Sequence, residues 1–226
     1  MASHLDLEEQ EQLDQLKNFW KQYGNLITWT LIIVLGAFSG WTYWNNYQAG
    51  QAGKAGAMFD ELDKAAQAGD ADRAATVFAT LKDRYPGTAF AEQAGMALAK
   101  VQFDKGQFDN ARATLTWVID HAPEDEYKTL ARVRLAGILL DQKKFDDALK
   151  QLDGATGKDF EPIVNDRRGD ILMAQGKKDD AKAAYQKAWK DMDPKVQYRG
   201  LVEAKLTALG AAPEPEKAAS AAEGSK

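Results

Sequence analysis

The chain has 226 residues, of which 45% are hydrophobic and 28% charged, with no cysteine and a formal net charge of −5. This length fits one folded domain with accessory segments or two small domains, and the hydrophobic fraction excludes a wholly disordered chain. The lack of cysteine excludes disulfides, thiolate metal sites and a cysteine nucleophile. The mild acidity argues against a general nucleic-acid binder, which would carry a basic surface.

The amino-terminal quarter contains a long uncharged stretch. No charged residue lies between Lys21 and Lys54, and the segment from Leu26 to Trp44 is apolar almost throughout. As an α-helix this segment is about 28 Å long, close to the roughly 30 Å hydrocarbon core of a bilayer. Aromatic side chains flank it, as is typical at membrane interfaces: Trp20, Tyr23, Trp29, Trp41, Tyr43, Trp44 and Tyr47. The sequence therefore predicts a transmembrane helix within residues 22–48.

Two alternatives to a permanent membrane helix are disfavoured. A buried core helix is seldom apolar on all faces over this length, and a cleaved signal peptide has a short basic start. Residues 1–21 instead form a long acidic segment, predicted to be a cytoplasmic tail that is either a short amphipathic helix or frayed. We therefore interpret residues 22–48 as an uncleaved signal anchor.

The residues in and around the predicted anchor indicate its orientation and a contact surface. Lys17 and Lys21 precede the span and Lys54 follows it. This lysine count favours an amino terminus in the cytoplasm and a translocated remainder. Gly36 and Gly40 are four residues apart, a spacing that lets a second membrane helix approach closely.

The chain from residue 55 onward consists of helical patterns with an internal repeat. The string Gly106-Gln-Phe-Asp-Asn-Ala111 recurs at residues 143–148 and 176–181, with a weaker copy at residues 69–74. The final alanines of these strings (Ala74, Ala111, Ala148 and Ala181) are 37, 37 and 33 residues apart, and each is followed four residues later by a large residue. Such helix–turn–helix units bury their apolar faces by stacking, so residues 55–210 are predicted to form an α-solenoid of about four hairpins.

The carboxyl-terminal region is predicted to close the stack. Residues 195–209 form a final capping helix, and Gly210 ends it. Residues 211–226 are rich in Ala, Pro, Glu, Ser and Lys and are predicted to be disordered.

The sequence contains few residues in patterns suited to catalysis or ligand binding. His121 is predicted to lie at a helix C-terminus, where it favours the helix dipole. Serines occur only at positions 3, 39, 220 and 225, which disfavours a serine triad, and there is no phosphate-binding glycine motif. The aspartates Asp146, Asp147, Asp179 and Asp180 are explained by capping and the helix dipole. We therefore predict a protein that is not an enzyme and has no cofactor or metal.

The first helices of the repeats are predicted to line a concave surface that binds a peptide or a partner domain, with a merely solvated groove as the alternative. The repeat register places on this surface Gln93, Met96, Lys100, Val133, Gly137, Asp166 and Asp170. Four arginines on the same helices form a predicted basic strip, although an ordinary solvated surface is also consistent with them: Arg132, Arg134, Arg167 and Arg168.

The repeat pattern resembles the tetratricopeptide repeat, although the repeat tryptophan is missing. The whole architecture resembles the YfgM family of ancillary SecYEG translocon subunits, through residues 5–25 (LDLEEQEQLDQLKNFWKQYGN) and 73–100 (RAATVFATLKDRYPGTAFAEQAGMALAK). The resemblance implies a single-pass inner-membrane protein with periplasmic repeats. It also implies three partners, namely the translocon, the membrane-anchored periplasmic chaperone PpiD, and secretory clients.

Three functional hypotheses follow. The first is a translocon subunit that assists the transfer of secreted proteins to periplasmic chaperones. The second is a structural scaffold that tethers an inner-membrane complex. The third is a regulator that sequesters a cytoplasmic factor through the acidic tail.

Overall fold

The computed structural model describes residues 7–213, with side chains described from residue 11 onward. The described residues contain helices and turns and no strand, which confirms the predicted all-α class. The helices are α1 (Leu7–Gln67), α2 (Ala71–Arg84), α3 (Ala89–Asp104), α4 (Phe108–His121), α5 (Asp125–Asp141), α6 (Phe145–Asp153), a 3₁₀ turn (Lys158–Phe160), α7 (Glu161–Ala174), α8 (Lys178–Asp191) and α9 (Arg199–Ala208).

The described chain divides into two units between Gln51 and Ala52. Helix α1 is continuous over 61 residues, so the segment between the predicted anchor and the first repeat is helical. Gly50 and Gly53 lie within it, and a Cβ atom added at either position would meet no neighbouring atom. The predicted helix before the span is present from Leu7 onward, and residues 1–6 lie outside the described residues.

The second unit is a stack of four helical hairpins. The last part of α1 pairs with α2, and the following pairs are α3 with α4, α5 with α6 and α7 with α8. The four repeat alanines Ala74, Ala111, Ala148 and Ala181 are each 0% exposed, and the large residues four positions later, Phe78, Leu115, Leu152 and Tyr185, are 4% exposed or less. These residues fill the contacts within and between hairpins, as a repeat with small and large positions one helical turn apart predicts.

Two glycines in the first helices allow especially close packing. A Cβ atom at Gly169 would overlap the buried ring of Tyr185, and one at Gly95 would overlap a methyl group of Val118. The absence of a side chain at position 169 thus allows a close approach of α7 and α8. Packing in a protein interior is dense enough that an added methyl group at either position would force the helices apart.

The turns between paired helices need a left-handed residue at one position of each repeat. That residue is Gly69, Gly106 or Gly176 in three repeats, with φ between 68° and 79°. Lys143 occupies the position in the third repeat with φ of 59°, and it is the one non-glycine residue with positive φ in the described chain. Side chains with a Cβ atom adopt this conformation at a cost.

The predicted capping role of the repeat aspartates is corrected by the structure. Asp146, Asp147, Asp179 and Asp180 lie in the first turn of α6 or α8, but the N-cap residues are Lys144 and Lys177, and neither makes a side-chain cap hydrogen bond. The aspartates lie two or three residues after the N-cap position, too far into the helix to accept the bond that defines an N-cap. The aspartates do lie in the first turn, where the helix dipole favours a negative charge.

The helix ends follow the predicted signals. Helices α2 and α4 each end two residues before Pro86 or Pro123, because proline cannot continue the helix. The capping helix is shorter than predicted, since residues 195–198 form turns ahead of α9. Gly210 ends α9 with φ of 68°, and Ala211 N–H donates to the Leu206 carbonyl at 3.0 Å. The predicted disordered tail lies outside the described residues from residue 214 onward.

Candidate functional site

A cavity of about 360 Å³ opens on the side of the stack formed by the first helices of the hairpins. It is bounded by three consecutive first helices, with α4 contributing at its base. Its walls carry both basic and apolar groups, chiefly Lys100, Phe103, Leu115, Arg134, Ile138 and Arg167. Gly137 is also part of the lining, and the Arg167 guanidinium lies next to it, 3.6 Å from where a Cβ atom would stand.

The predicted basic strip is divided by the fold. Arg134 and Arg167 line the cavity. Arg168 instead forms an ion pair with Asp153 at 2.9 Å, and Arg132 donates to the Gln151 side chain at 3.4 Å. Because residues one or two positions apart on a helix point in different directions, only one arginine of each pair faces the cavity.

The cations of the cavity differ in their partners. Lys100 Nζ lies 2.7 Å from Asp104 Oδ2, and Arg167 Nη1 lies 3.4 Å from Asp170 Oδ2. Arg134 donates through Nη1 to the Met96 carbonyl at 3.1 Å, and within residues 7–213 it forms no ion pair. Burial by the surrounding helices lowers the pKa of the Arg134 guanidinium from its ordinary value. Arg134 therefore presents a positive charge with no compensating carboxylate.

The structure exposes some of the predicted groove residues and buries others. Lys100 is exposed and lines the cavity, and Gln93 is half-buried. Met96 and Val133 are 6% and 9% exposed and pack within the apolar core, and Asp166 is 1% exposed. These three side chains present almost no surface to a partner. Their burial follows from packing between adjacent hairpins, which a register drawn from sequence repeats does not resolve.

Asp166 and Asp170 belong to a partly buried polar network, with Asp166 at its buried end, that the sequence does not predict. Lys205 Nζ donates to both carboxylate oxygens of Asp166, at 2.7 and 2.9 Å, and to Asp170 Oδ1 at 2.7 Å. Tyr198 donates to Asp166 Oδ2 at 2.6 Å, and Tyr185 donates to Asp170 Oδ1 at 2.8 Å. Burial first, and then these carboxylates, raise the pKa of both tyrosines, so both hydroxyls remain protonated donors. The network fastens α9 to the last hairpin.

A second buried carboxyl group lies at the start of α3. Glu92 is 0% exposed, and neither of its carboxyl oxygens has a hydrogen-bond partner. Burial, and then the nearby carboxyl group of Glu124, raise the pKa of Glu92 to about 8, against an opposing effect of Lys128. The sequence gives no signal for this, since Glu92 occupies an ordinary first-turn position.

His121, the histidine considered in the sequence analysis, lies at a helix end. His121 is the last residue of α4, where its ring stacks on Trp117 at 4.8 Å and its Nδ1 lies 2.9 Å from the Trp117 carbonyl oxygen. In the part of the chain that the structure describes, no group of three or more acidic, histidine or cysteine side chains is arranged to hold a metal ion.

Helix α1 contains the predicted membrane segment. It has one stretch long and apolar enough to cross a membrane, and none of that stretch is buried in the protein. Leu26 and Trp44, the ends of the predicted span, are 66% and 58% exposed. Added Cβ atoms at Gly36 and Gly40 would meet no neighbouring atom, so the face that carries both glycines is open.

The fold and cavity define a class of helical-repeat proteins with an apolar anchor helix. Residues 17–211 match the tetratricopeptide repeat-like domain family, which covers most of the chain. The chain belongs to this repeat family and, within it, to the family of ancillary SecYEG translocon subunits, as the following relatives show.

Three relatives share that description. A protein named "Ancillary SecYEG translocon subunit" from Neisseria gonorrhoeae is 33% identical over 210 residues, covering 92% of this chain and 100% of the relative. Proteins of the same name from Escherichia coli and Haemophilus influenzae are 30% and 29% identical, covering 79% and 80% of this chain and 85% and 89% of the relatives. These names describe translocon subunits, a non-enzymatic type of protein. Together with the apolar helix they indicate an inner-membrane protein.

Proposed function

We propose that this chain is a non-enzymatic adaptor of the SecYEG translocon, anchored in the inner membrane by residues 26–44. The end-to-end match to a protein named as an ancillary translocon subunit carries this proposal. The amino terminus lies in the cytoplasm and the hairpin stack in the periplasm, an arrangement supported by Lys17 and Lys21 ahead of the span. There the stack assists the transfer of emerging secreted proteins to periplasmic chaperones, including PpiD.

The cavity supports a binding role over a catalytic one. It combines apolar walls with fixed cations, as sites that bind polypeptide segments do. A stack of hairpins also provides an extended surface that is larger than any single helix face. The position of the cavity on the first helices therefore makes it the surface through which secreted chains or a chaperone bind.

Site-specific photo-crosslinking in native membranes tests the proposal. A photoreactive residue at Lys100, in the cavity, is expected to crosslink to translocating secretory chains trapped in the translocon. The same residue at Gln186, exposed on α8, serves as the matched control and is expected to give few such products. No crosslink from Lys100, or equal crosslinks from both positions, would contradict a role of this cavity in client transfer.

The scaffold function is the second proposal, and the open face at Gly36 and Gly40 favours it. If the chain mainly tethers a membrane complex, replacing both glycines with leucine will release the chain from the translocon while cavity variants have no effect. Co-purification of translocon subunits from detergent-solubilised membranes measures this. The regulator hypothesis differs again, since it predicts that deletion of residues 1–20 removes the activity.

A further inference from the structure

An aromatic pair extends the apolar part of the cavity beyond its walls. Phe103 and Phe108 are 38% and 40% exposed, and their rings meet edge to face at 5.4 Å between centroids. Most large apolar side chains of the hairpin stack are buried, so two neighbouring exposed phenylalanines present an unusual apolar surface to solvent. Phe103 also lines the cavity, so the pair and the cavity form one continuous surface.

The positive charge of this surface is only partly neutralised, since Lys100 pairs with Asp104 and Arg167 with Asp170. Arg134 is held in place by the Met96 carbonyl and has no ion-pair partner among residues 7–213. The Arg167 Nε atom is buried without a hydrogen-bond partner, and its contact with Asp170 is long at 3.4 Å. Asp141 is the acidic residue among those that line the cavity, and it forms no ion pair with either arginine in the described chain.

Gly137 forms part of the cavity wall on α5, and the Arg167 guanidinium lies over it: an added Cβ atom would stand 3.6 Å from Arg167 Cζ, an ordinary contact distance. A larger side chain would project from this wall into the cavity. Arg134 and Arg167 line the same cavity, so a carboxylate that enters it lies near two cationic side chains.

We infer that this surface binds an extended polypeptide segment in which an aromatic or large aliphatic residue stands next to an aspartate or glutamate. The apolar side chain packs against Phe103 and Phe108, and the carboxylate pairs with Arg134 and Arg167. Arginine suits this task because its planar guanidinium donates two parallel hydrogen bonds to a carboxylate. The inference rests on the proposed function and names the chemical class of the segment that the cavity receives.

Fluorescence anisotropy with the full-length protein in nanodiscs tests the inference. The probes are fluorescein-labelled peptides of Gly and Ser carrying a central Phe-Asp pair, a Phe-Asn pair or a Ser-Asp pair. We expect the Phe-Asp peptide to bind at least about tenfold more tightly than either of the others, because each loses one of the two interactions.

Protein variants then assign the binding to this surface. Arg134→Gln should weaken binding of the Phe-Asp peptide about tenfold and leave binding of the Phe-Asn peptide unchanged. A general loss of folding would not produce this difference. Arg73→Gln, at an exposed cation on α2, is the matched control. Gly137→Leu should block binding of both peptides, and thermal unfolding should show that this variant remains folded.

The result that overturns the inference is equal binding of the Phe-Asp and Phe-Asn peptides, or an unchanged affinity for Phe-Asp in Arg134→Gln. If peptide binding fails in this way while Lys100 still crosslinks to secretory chains, only the inference about the segment is wrong. If the peptides bind as expected and no crosslink forms in membranes, the proposed function is wrong instead.

Discussion

Removal of the Lys205 ammonium group should clearly lower the free energy of unfolding of the hairpin stack. This ammonium group compensates two carboxylates, and the Asp166 side chain is only 2% exposed. Breaking a buried pair by removing one partner leaves an uncompensated charge in the protein interior. The burial of Asp166 is thus tolerated only because α9 brings Lys205 and Tyr198 to it.

We therefore expect Lys205→Met to destabilise the last hairpin by about 3 kcal/mol. Urea denaturation of the detergent-solubilised protein, followed by circular dichroism, measures the loss. Lys187→Met is the control, since Lys187 pairs with Glu161 at 3.5 Å on the surface and should contribute less than about 1 kcal/mol. Similar losses in the two variants would show that the network is not stabilising.

The free energy of unfolding should depend on pH through Glu92, and the raised pKa of this residue fixes the direction. Above its ordinary value of 4.5 the unfolded chain is ionised at this residue, whereas the folded protein keeps the proton up to about pH 8. Unfolding then releases a proton, so the contribution of Glu92 to stability is greatest below about pH 4.5 and is lost as the pH rises to about 8. Glu124, which precedes α5, and Glu126 and Lys128 within α5 are the charged groups that act on it.

Replacing Glu92 with Gln should remove this dependence. At pH 8 we expect Glu92→Gln to be more stable than the natural protein by on the order of 2–4 kcal/mol, and the difference should shrink towards pH 5. Thermal unfolding across this pH range measures it, with Glu203→Gln on the exposed face of α9 as the control. A difference that does not change with pH would mean that Glu92 does not titrate in this range.

At the scale of helices, the turn within each hairpin needs a residue with positive φ, and the third repeat has a lysine there instead of a glycine. Lys143 adopts φ of 59° where the other repeats have glycine. A residue with a Cβ atom pays about 1–2 kcal/mol for this conformation. The pairing of α5 with α6 holds it there, since Lys143 N–H donates to the Leu140 carbonyl at 2.8 Å.

Lys143→Gly is therefore expected to stabilise the protein by about 1 kcal/mol. The converse change, Gly106→Ala in the second repeat, should destabilise it by a similar amount, because φ there is 74° while the added methyl group would meet no neighbouring atom. The two variants together separate backbone conformation from packing. Urea midpoints that move in the same direction for both would contradict this account.

At the scale of the whole molecule, the membrane anchor decides which compartment the hairpin stack occupies. None of its apolar segment is buried in the protein, so lipid is the environment that suits it. The distribution of lysines around that segment is the feature that favours one orientation.

Replacing Lys17 and Lys21 with Gln should weaken the orientation preference. We expect part of the hairpin stack to become inaccessible to protease added to spheroplasts, whereas in the natural protein the stack should be digested from the periplasmic side. Lys64→Gln, later in α1, is the control. An unchanged protection pattern in the double variant would show that other features determine the orientation.

Much of the architecture was determined by the sequence. The uncharged stretch after Lys21 and the alanine spacing predict an anchor and a hairpin stack, because both depend on local patterns: the length of an apolar run and the period of small and large residues. The family resemblance also rested on such patterns, and the comparisons confirm it.

Only the tertiary structure decided what each polar side chain does. It separates Arg134 and Arg167 from Arg132 and Arg168, buries Glu92, and joins Asp166 to Lys205 across 39 residues of sequence. The physical reason is that a repeat period fixes which face of a helix is apolar, whereas burial and ion pairing depend on the angle and distance at which neighbouring helices pack. Those quantities arise from contacts between residues far apart in the chain, and no local pattern encodes them.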